Sequence, residues 1–530
     1  MVWGLTGNGR YREHGSVHNI ISERYCPSDV CYTSQMDMAA PNHYMNGYPN
    51  LIAVVKNADD IQKAVQFARK YNLHVTVRSS GHEYVGRSTW EGSFLIILSE
   101  MNKMEIDLST ERSPHGTVKV QTGIQWQEIY ENLNAVGRVV VAGSAHTGTP
   151  GGYTLCSGHS PVSRSLGFAV DNLLEAQVVL ADGSIATATE NRTVIVIPEG
   201  DIMYHENGDL FWALRGGGGG TIRIAVYFVY RLHPMSSQMV VFSMLVAIEM
   251  NVLGLNFFEE ALEVVEQLLE KMPPTWGGYW LLNNPVSKTM INYKGLLTFF
   301  FNKFLPWDGS EYKELEPAVN WARGKQVPFT FTNKTDFWEY EKDVYDSPIV
   351  CTYLAGTLLQ PGQVGKEFRA FMREQLFVGV ARDLWIGCTG ILFGGKTTEG
   401  SLESTPLHPG YQSTVSSLSC GIALADAESG APLLNKTTGN DELIEYFQTF
   451  AKGVRNFGSG MYLNEPWKDS PYWKEDFWGT ENYERLLLIK RLYDPDNFFT
   501  CHHCVGSDVM DKKDPGPAPH VVHAFTCLAS

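Results

Sequence analysis

The chain contains 530 residues, and its 42 lysines and arginines against 58 aspartates and glutamates leave a formal net charge of −16. At about 150 residues per domain, this length predicts two to four domains with ample chain to bury a core. The acidic balance argues against nucleic acid and anionic membranes as partners, because their phosphates need cationic neighbours. A hydrophobic fraction of 44% and a charged fraction of 19% are ordinary for globular proteins and exclude wholesale disorder.

Cysteines and sequons bear on localisation. No apolar run approaches the ~18 residues of a membrane helix, and the first residues lack the apolar stretch of a signal peptide, which leaves a cytosolic protein or a processed secreted one. The odd total of nine cysteines leaves at least one outside any intrachain disulfide, whereas Cys26 and Cys31 lie close enough to join. With the Asn-Xaa-Thr sequons at Asn191, Asn333 and Asn435, the cysteines favour a secreted, disulfide-containing glycoprotein.

Alternating strands and helices are predicted over the first 235 residues. A short apolar strand at 51–55 precedes a helix that begins at Asp59-Asp60, whose apolar residues recur at i, i+3, i+4 and i+7. The other predictions are strands at 74–77, 95–98, 118–121 and 139–142, a helix from 125 to 137, a hairpin of 174–180 and 185–189, a helix at 209–215 and a strand at 222–232.

The pattern changes near Pro234, where we expect a domain boundary. A helix over 258–271 is predicted to end at Pro273-Pro274, and strands then alternate with helices to about residue 457. A last helix is expected at 482–490, followed by a turn at 494–496 and an unstructured tail after Ser507.

Three glycine-rich segments, at 78–82, 143–158 and 216–220, each follow a predicted strand or short helix. Turns of this kind let backbone N–H groups approach a phosphate without obstruction by a Cβ atom. No Gly-Xaa-Gly-Xaa-Xaa-Gly fingerprint opens a helix and no P-loop lysine follows, so the sequence disfavours a nicotinamide-binding Rossmann fold and an ATPase.

Four motifs carry a family resemblance. They read RSSGHEYVGRS (78–88), GGYTLCSGHSPVSR (151–164), DLFWALRGGGGG (209–220) and, near the C-terminus, FWG (477–479) with DPDNFF (494–499). In this order they resemble the motifs of PCMH-type FAD-linked oxidoreductases of the vanillyl-alcohol-oxidase superfamily, in the berberine-bridge-enzyme-like branch. Residues 240–450 match that family only in general character.

The resemblance implies an α+β fold with two domains. An FAD-binding domain is expected over 1–236 and a substrate domain of antiparallel sheet and helices over 237–458. A C-terminal segment over 459–510 is expected to return to the FAD domain, and residues 511–530 to form a flexible tail.

The resemblance also implies FAD bonded covalently to His82. A neutral imidazole is a competent nucleophile toward the flavin 8α carbon, although a loop histidine that binds only phosphate or backbone is the alternative. The other FAD contacts implied by the motifs are Arg78, Ser79, Ser80, Gly81, Ser88, Gly143, Ser144, Gly152, Tyr153, Gly158, Ile224 and Asn497.

The chain departs from the family pattern at three places. Residues 143–146 lack the cysteine that forms a second flavin link in some members. Cys156 stands where the family usually has glycine, and we expect it to pack rather than bond the flavin. Arg223 likewise replaces a glycine after the five-glycine run.

His159 and Tyr462 are the predicted catalytic residues. Oxidation of an alcohol or amine removes a proton while hydride leaves, so a base is needed within hydrogen-bond reach. Histidine has a suitable ordinary pKa, whereas a tyrosine must be acidified by its neighbours, and either residue could simply line the pocket. A carboxylate base is not identified, since Glu399, Glu403 and Glu465 are equally open.

Cys501-His502-His503-Cys504 has the spacing of half a zinc site. No second Cys-Xaa-Xaa-Cys or histidine pair accompanies it, so no metal is predicted. A local disulfide or free thiols are favoured.

The sequence predicts an FAD-dependent oxidase that takes hydride from a small alcohol, possibly benzylic or a cyanohydrin, and reduces O2 to H2O2. The alternatives are a same-fold dehydrogenase with another electron acceptor, and an oxidase of sugars or alkaloid amines. The alternative from a different functional class is a non-catalytic protein that binds flavin or a glycan.

Overall fold

A computed structural model describes residues 49–88, 90, 92–249, 252–284, 293–342, 353–381, 384–400, 402–424, 441–509 and 523–526. The cysteine pair Cys26 and Cys31 and the sequon at Asn435 lie outside these residues. Within the described part, no helix is both long and apolar enough to span a membrane.

Twenty strands are described, most of them short. They are β1 (Leu51–Val54), β2 (Val75–Arg78), β3 (Phe94–Ile97), β4 (Met104–Asp107), β5 (Thr117–Gln121), β6 (Arg138–Val139), β7 (Leu173–Leu180), β8 (Ile185–Ala188), β9 (Thr193–Val196), β10 (Ile202–His205), β11 (Arg223–Arg231), β12 (His233–Pro234), β13 (Met239–Glu249), β14 (Trp276–Asn283), β15 (Tyr293–Lys303), β16 (Phe329–Lys334), β17 (Tyr353–Leu359), β18 (Leu384–Leu392), β19 (Ser416–Leu424) and β20 (His523–Thr526).

Twelve α-helices accompany these strands in the described ranges. They are α1 (Ala58–Lys70), α2 (Trp126–Asn134), α3 (Pro150–Thr154), α4 (Ser163–Leu166), α5 (Asp209–Leu214), α6 (Val252–Lys271), α7 (Glu311–Glu314), α8 (Glu316–Lys325), α9 (Phe337–Glu341), α10 (Lys366–Ala381), α11 (Asp441–Arg455) and α12 (Trp473–Tyr493).

The N-terminal half contains two larger sheets and the two-stranded sheet β12-β6. One of the larger sheets has the order β2-β3-β1-β20 with parallel pairs, and the other has the order β10-β9-β8-β7-β11-β5-β4 with antiparallel pairs. Helix α1 connects β1 to β2. Its predicted apolar face is confirmed, since Ile61, Ala64, Val65 and Ala68 are all buried, and Val179 and Ile224 of the second sheet belong to the same core cluster. Burial of one such aliphatic side chain stabilises the fold by roughly 1.5–3 kcal/mol.

Local capping explains where α1 begins. The Asn57 side chain accepts a hydrogen bond from the Asp60 backbone N–H at 2.9 Å, and the acidic first turn suits the helix dipole. At the far end of this half, the predicted hairpin around Gly183 is confirmed by the antiparallel pairing of β7 with β8.

Several strand predictions need correction or were missing. Residues 140–142 are buried but lie outside any strand, because β6 pairs with β12 through only two residues. Strands β4, β9, β10 and β12 were not predicted. Strand β10 leaves Ile202, Met203 and Tyr204 exposed, so it lacks the apolar alternation that marks a strand.

The C-terminal half is built on one seven-stranded antiparallel sheet of order β16-β13-β15-β14-β18-β19-β17. Helices α6, α10 and α11 pack against this sheet. A disulfide between Cys388 and Cys420 joins β18 to β19 at directly opposed positions. Together with the N-terminal half, this sheet confirms the predicted α+β class. The domain boundaries at 236 and 458 stay a prediction.

The C-terminal segment packs against the five-glycine run. Trp478 of α12 donates its indole N–H to the Gly216 carbonyl at 2.9 Å, and Lys490 donates to the Thr221 carbonyl at 2.6 Å. Of the predicted flexible tail over 511–530, four residues form β20, because their backbone pairs in parallel with β1. Most of the tail lies outside the described residues.

Candidate active site

A cleft with a volume of about 120 Å³ lies where the three glycine-rich segments meet the C-terminal segment. Residues from all four of these parts of the chain line it. The polar and glycine positions are Ser79, Ser80, Gly81, His82, Glu83, Arg87, Ser88, Gly151, Gly152, Gly219, Gly220, Arg223, Asn464 and Thr500, joined by Leu155, Cys156, Ile224, Phe499 and Cys501. The cleft is therefore assembled from segments that lie far apart in sequence.

Glycine is required where the first two segments meet. Ser79 donates to the Thr122 carbonyl at 2.5 Å and lies 2.7 Å from the Thr149 hydroxyl. A Cβ atom at Gly151 would lie 2.8 Å from the Ser79 hydroxyl oxygen, and Gly81 has a φ of +89°, which favours glycine. The two backbones can therefore approach each other closely at the cleft.

His82 lies in the cleft lining with an exposed side chain. Its Nε2 atom is 2.5 Å from the Thr147 hydroxyl oxygen, and this hydrogen bond orients the ring. An accessible and oriented imidazole is what a covalent cofactor link requires.

Two buried arginines beside the first and third glycine-rich segments have no carboxylate partner in the described part of the chain, and of the two only Arg223 lines the cleft. Arg78 is fully buried and none of its three guanidinium nitrogens has a hydrogen-bond partner there. Arg223 lines the cleft and uses one nitrogen to donate to the Ala213 carbonyl at 3.2 Å, while Nε and Nη1 have no partner. Burial lowers the pKa of each guanidinium to about 9.

An anionic ligand in the cleft fits Arg223. A buried cation without a counter-charge is costly, and a diphosphate would supply both charge and hydrogen-bond acceptors. The Ser80 and Ser88 side chains add hydroxyl groups to the same cleft. The residues present therefore fit FAD, the cofactor expected from the sequence.

Arg87 connects the first segment to the C-terminal segment. It donates from Nε to the His502 carbonyl at 3.0 Å and from Nη1 to the Leu463 carbonyl at 3.2 Å. Glu83 shapes the intervening turn, because its carboxylate accepts hydrogen bonds from the backbone N–H groups of Val85 and Ser88.

His159 and Tyr462 lie together. Their ring centroids are 4.9 Å apart in an edge-to-face arrangement. The His159 Nε2 atom is 3.8 Å from a Glu465 carboxylate oxygen, and Asn464 donates to the Tyr462 hydroxyl at 3.0 Å. Burial, with Cys156 and Glu465 nearby, raises the pKa of Tyr462 well above its ordinary value, so this phenol stays protonated at neutral pH.

Asn464 brings this pair to the cofactor cleft, because it lines the cleft and also contacts Tyr462. Aromatic side chains surround the same region. Phe393 lies 6.3 Å from His159 between ring centroids, and Tyr411 lies 6.0 Å from Phe393. The wall therefore combines polar groups with flat apolar surfaces.

Several predicted FAD contacts lie behind the cleft rather than in its lining. The Gly143 carbonyl accepts from Tyr130 at 3.0 Å, and Ser144 points to Tyr279 and Glu341. Tyr153 donates to the His159 carbonyl at 2.6 Å. The remaining three are Arg78, which is fully buried, Gly158, beside the Tyr153 ring, and Asn497, which is nearly fully buried and has a φ of +50°. For these positions the contact with FAD stays a prediction.

The cysteines behave as structural groups. Cys156 is a free, buried thiol in the cleft lining, and burial raises its pKa to about 11. Cys501 and Cys504 form a disulfide, one of the two outcomes favoured from the sequence. Among the described residues, no cluster of metal-ligating side chains occurs.

Sequence reasoning missed Arg87, Glu341 and His146 as site residues. The signal for Arg223 was present, because a charge replaces an expected glycine there. No comparable signal marks Glu341, a residue of the short helix α9 that is fully buried beside His146 at 3.9 Å.

Two family descriptions match the chain. Residues 49–189 match the "FAD binding domain" family and residues 461–506 match the "Berberine and berberine like" family. The first range contains the segments around His82 and Gly151, and the second contains Tyr462 and the Cys501 disulfide. Together with the cleft, these matches define a flavin-dependent oxidoreductase.

Similar proteins agree with this class. An uncharacterized FAD-linked oxidoreductase of Arthroderma benhamiae is 30% identical over 85% of this chain and 76% of its own length. The VAO-type flavoprotein MtVAO713 of Myceliophthora thermophila superposes with a TM-score of 0.72 at 22% identity, over 87% of this chain and 81% of its own. Glucooligosaccharide oxidase of Acremonium strictum, with a 6-S-cysteinyl, 8α-N1-histidyl FAD, superposes with a TM-score of 0.68 at 20% identity, over 87% and 92%.

The chain belongs to the FAD-linked oxidoreductases and carries a berberine-like C-terminal segment. The family predicted from the four sequence motifs is confirmed.

Proposed function

We propose that the protein is an FAD-dependent oxidase that takes hydride from a small alcohol and reduces O2 to H2O2. The observation that carries the proposal is the adjacency of the His82 cleft to the His159 and Tyr462 wall through Asn464. Bound FAD would supply the hydride acceptor in that cleft.

His82 would hold the FAD covalently. The Thr147 hydroxyl orients its ring, and the side chain is exposed to the cleft. The structurally similar glucooligosaccharide oxidase holds its FAD through a histidyl link. Residues 143–146 offer no cysteine for a second link, so we propose a single tether.

His159 and Tyr462 would contact the substrate. Because Asn464 donates to the Tyr462 oxygen, the phenol proton is free to point elsewhere and donate to a substrate oxygen. The Nδ1 atom of His159 is buried and has no hydrogen-bond partner among the described residues, so it also offers a polar contact.

We further propose that the enzyme is secreted. The sequons at Asn191 and Asn333 are both exposed, and the structure contains disulfides at Cys388–Cys420 and Cys501–Cys504. Secretion predicts that the native protein carries N-glycans, seen as a mass decrease after enzymatic deglycosylation. An unchanged mass would mean that neither site carries an N-glycan.

The function is tested with a panel of benzylic alcohols, cyanohydrins, sugars and amines. The holoenzyme is mixed anaerobically with each compound, bleaching of the flavin absorbance is followed, and air is then admitted. We expect an alcohol to bleach the flavin and air to restore it rapidly with release of H2O2. A reduced flavin that survives for minutes in air would instead identify a dehydrogenase. Bleaching by no member of the panel would favour a non-catalytic binding protein.

A further inference from the structure

A chain of hydrogen bonds crosses from the C-terminal sheet to the second glycine-rich segment. The Tyr279 hydroxyl of β14 lies 3.0 Å from the Ser144 hydroxyl, which donates to Glu341 at 3.0 Å. Glu341 ends α9 and is fully buried, whereas Tyr279 and Ser144 are half-buried. A buried carboxylate is thereby connected to a less buried phenol through a single hydroxyl.

The number of protons available to these side chains determines which group donates in each hydrogen bond. An ionised carboxylate only accepts hydrogen bonds, and serine has a single proton to donate. Because Ser144 gives that proton to Glu341, Tyr279 must donate to Ser144. The Tyr279 oxygen therefore retains lone pairs that can accept a hydrogen bond from another molecule.

Mostly uncharged groups face Glu341. His146 lies 3.9 Å from its carboxylate, with the Trp338 ring packed at 5.8 Å from the imidazole. Four phenols also interact electrostatically with the Glu341 carboxylate, and burial followed by such interactions raises the pKa of each. They are Tyr130, Tyr153, Tyr279 and Tyr340.

Tyr279 also faces the substrate wall. It packs against the apolar cluster that contains Phe393 and Tyr411, and its phenol interacts with the Glu465 carboxylate beside His159. On the other side of the chain, Thr147 follows His146 directly and hydrogen-bonds His82. The hydrogen-bonded chain thus begins beside the wall and ends next to the segment that contacts His82.

We propose that Tyr279, Ser144 and Glu341 form the path that accepts the hydroxyl proton of the substrate. This inference rests on the proposed alcohol oxidation. The substrate O–H bond breaks and its proton bonds to the Tyr279 oxygen, the Tyr279 proton moves to Ser144, and the Ser144 proton moves to Glu341. Bound FAD would accept the substrate C–H hydrogen with its bonding electron pair, so one proton and one hydride are accounted for.

The path is tested by the rate of flavin reduction in anaerobic stopped-flow mixing with an alcohol that bleaches the wild-type holoenzyme. General-base catalysis contributes ~10²–10⁴-fold, so we expect Glu341→Gln to slow reduction ~100-fold or more and Glu341→Asp to restore part of the rate. The fall of the wild-type rate at acidic pH should disappear in Glu341→Gln. Ser144→Ala interrupts the chain with a smaller change of structure and should also slow reduction.

Infrared difference spectra report on Glu341 itself. Subtraction of the Glu341→Gln spectrum from the resting wild-type spectrum should show an ionised carboxylate, and reduction by the alcohol should add a protonated-carboxyl band absent from the variant. Glu131→Gln serves as the matched control, because Glu131 is exposed on α2 and accepts a hydrogen bond from Gln127. Its reduction rate should equal that of the wild type.

The outcomes separate the path from the proposed function. Reduction of Glu341→Gln and Ser144→Ala at the wild-type rate, with an unchanged pH profile, would overturn the path while leaving alcohol oxidation intact. A protonated Glu341 in the resting enzyme would overturn the path even without a substrate. A wild type that no alcohol reduces would overturn both proposals.

Discussion

Lys490 and Asp494 form an ion pair at 2.7 Å in which both side chains are completely shielded from solvent. The Lys490 ammonium also donates to the carbonyls of Thr221 and Phe499, at 2.6 and 2.7 Å. The pair therefore joins the third glycine-rich segment to the C-terminal residues that line the cleft. Its position explains how two segments that lie far apart in sequence are held together at the proposed cofactor site.

Removal of the Lys490 ammonium should destabilise the protein strongly. Lys490→Met leaves the buried Asp494 carboxylate without its counter-charge, and we expect the free energy of unfolding to fall by ~3–5 kcal/mol. Urea unfolding followed by tryptophan fluorescence measures this change. Lys474→Met is the control, because Lys474 forms a more exposed pair with Asp508 that should contribute less than ~1 kcal/mol. Equal losses in the two variants would contradict the role of the buried pair.

Substitution of His82 should release the cofactor on denaturation. If His82 forms the covalent link, acid precipitation of the wild type leaves the yellow colour in the pellet, whereas His82→Ala leaves FAD in the supernatant. His159→Ala is the matched control and should retain the colour in the pellet. Colour retained by His82→Ala would refute the tether.

Arg223 should discriminate FAD from riboflavin. In a His82→Ala background, where FAD binds reversibly, we expect Arg223→Met to weaken FAD about 10- to 100-fold, because hydrogen bonds to charged groups contribute ~1.5–3 kcal/mol. Riboflavin lacks the diphosphate, so its affinity should not change. Fluorescence titration measures both dissociation constants, with Arg112→Met, in the exposed pair with Glu175, as the control. An equal loss for riboflavin would contradict a diphosphate contact.

His408 should make stability depend on pH. Burial lowers its pKa to about 4, and Nδ1 accepts a hydrogen bond from the Gly410 backbone at 2.9 Å, which requires the neutral ring. In the unfolded chain this histidine has its ordinary pKa near 6.5. Between pH 4 and pH 6.5 the unfolded chain therefore binds more protons than the folded protein. This contribution is therefore fully present above pH 6.5 and is lost as the pH falls toward 4.

The expected loss between pH 7 and pH 4 is roughly 2–3 kcal/mol from His408 alone. His408→Asn keeps an acceptor for Gly410 but does not titrate. Comparison of its urea unfolding with the wild type isolates the contribution, since other buried histidines such as His502 titrate in both proteins. Parallel pH profiles for the two proteins would rule out this role of His408.

Local patterns predicted much of the N-terminal half. The apolar spacing of α1, the hairpin at Gly183 and the long strand β11 all depend on periodicity and turn chemistry that neighbouring residues provide. Strand β10 escaped prediction, because its exposed residues carry no periodic pattern and only pairing with β9 makes it a strand.

The sequence by itself determined the family, the α+β class and the glycine-rich segments, because these depend on short motifs whose chemistry is local. Only the tertiary structure decided which charges meet at the site. Arg223 became a buried cation of the cleft because the C-terminal segment covers it, and Glu341 met Ser144 across a separation of 197 residues. Burial and distance between remote residues set such electrostatics, and neither quantity is written in the spacing of neighbouring side chains.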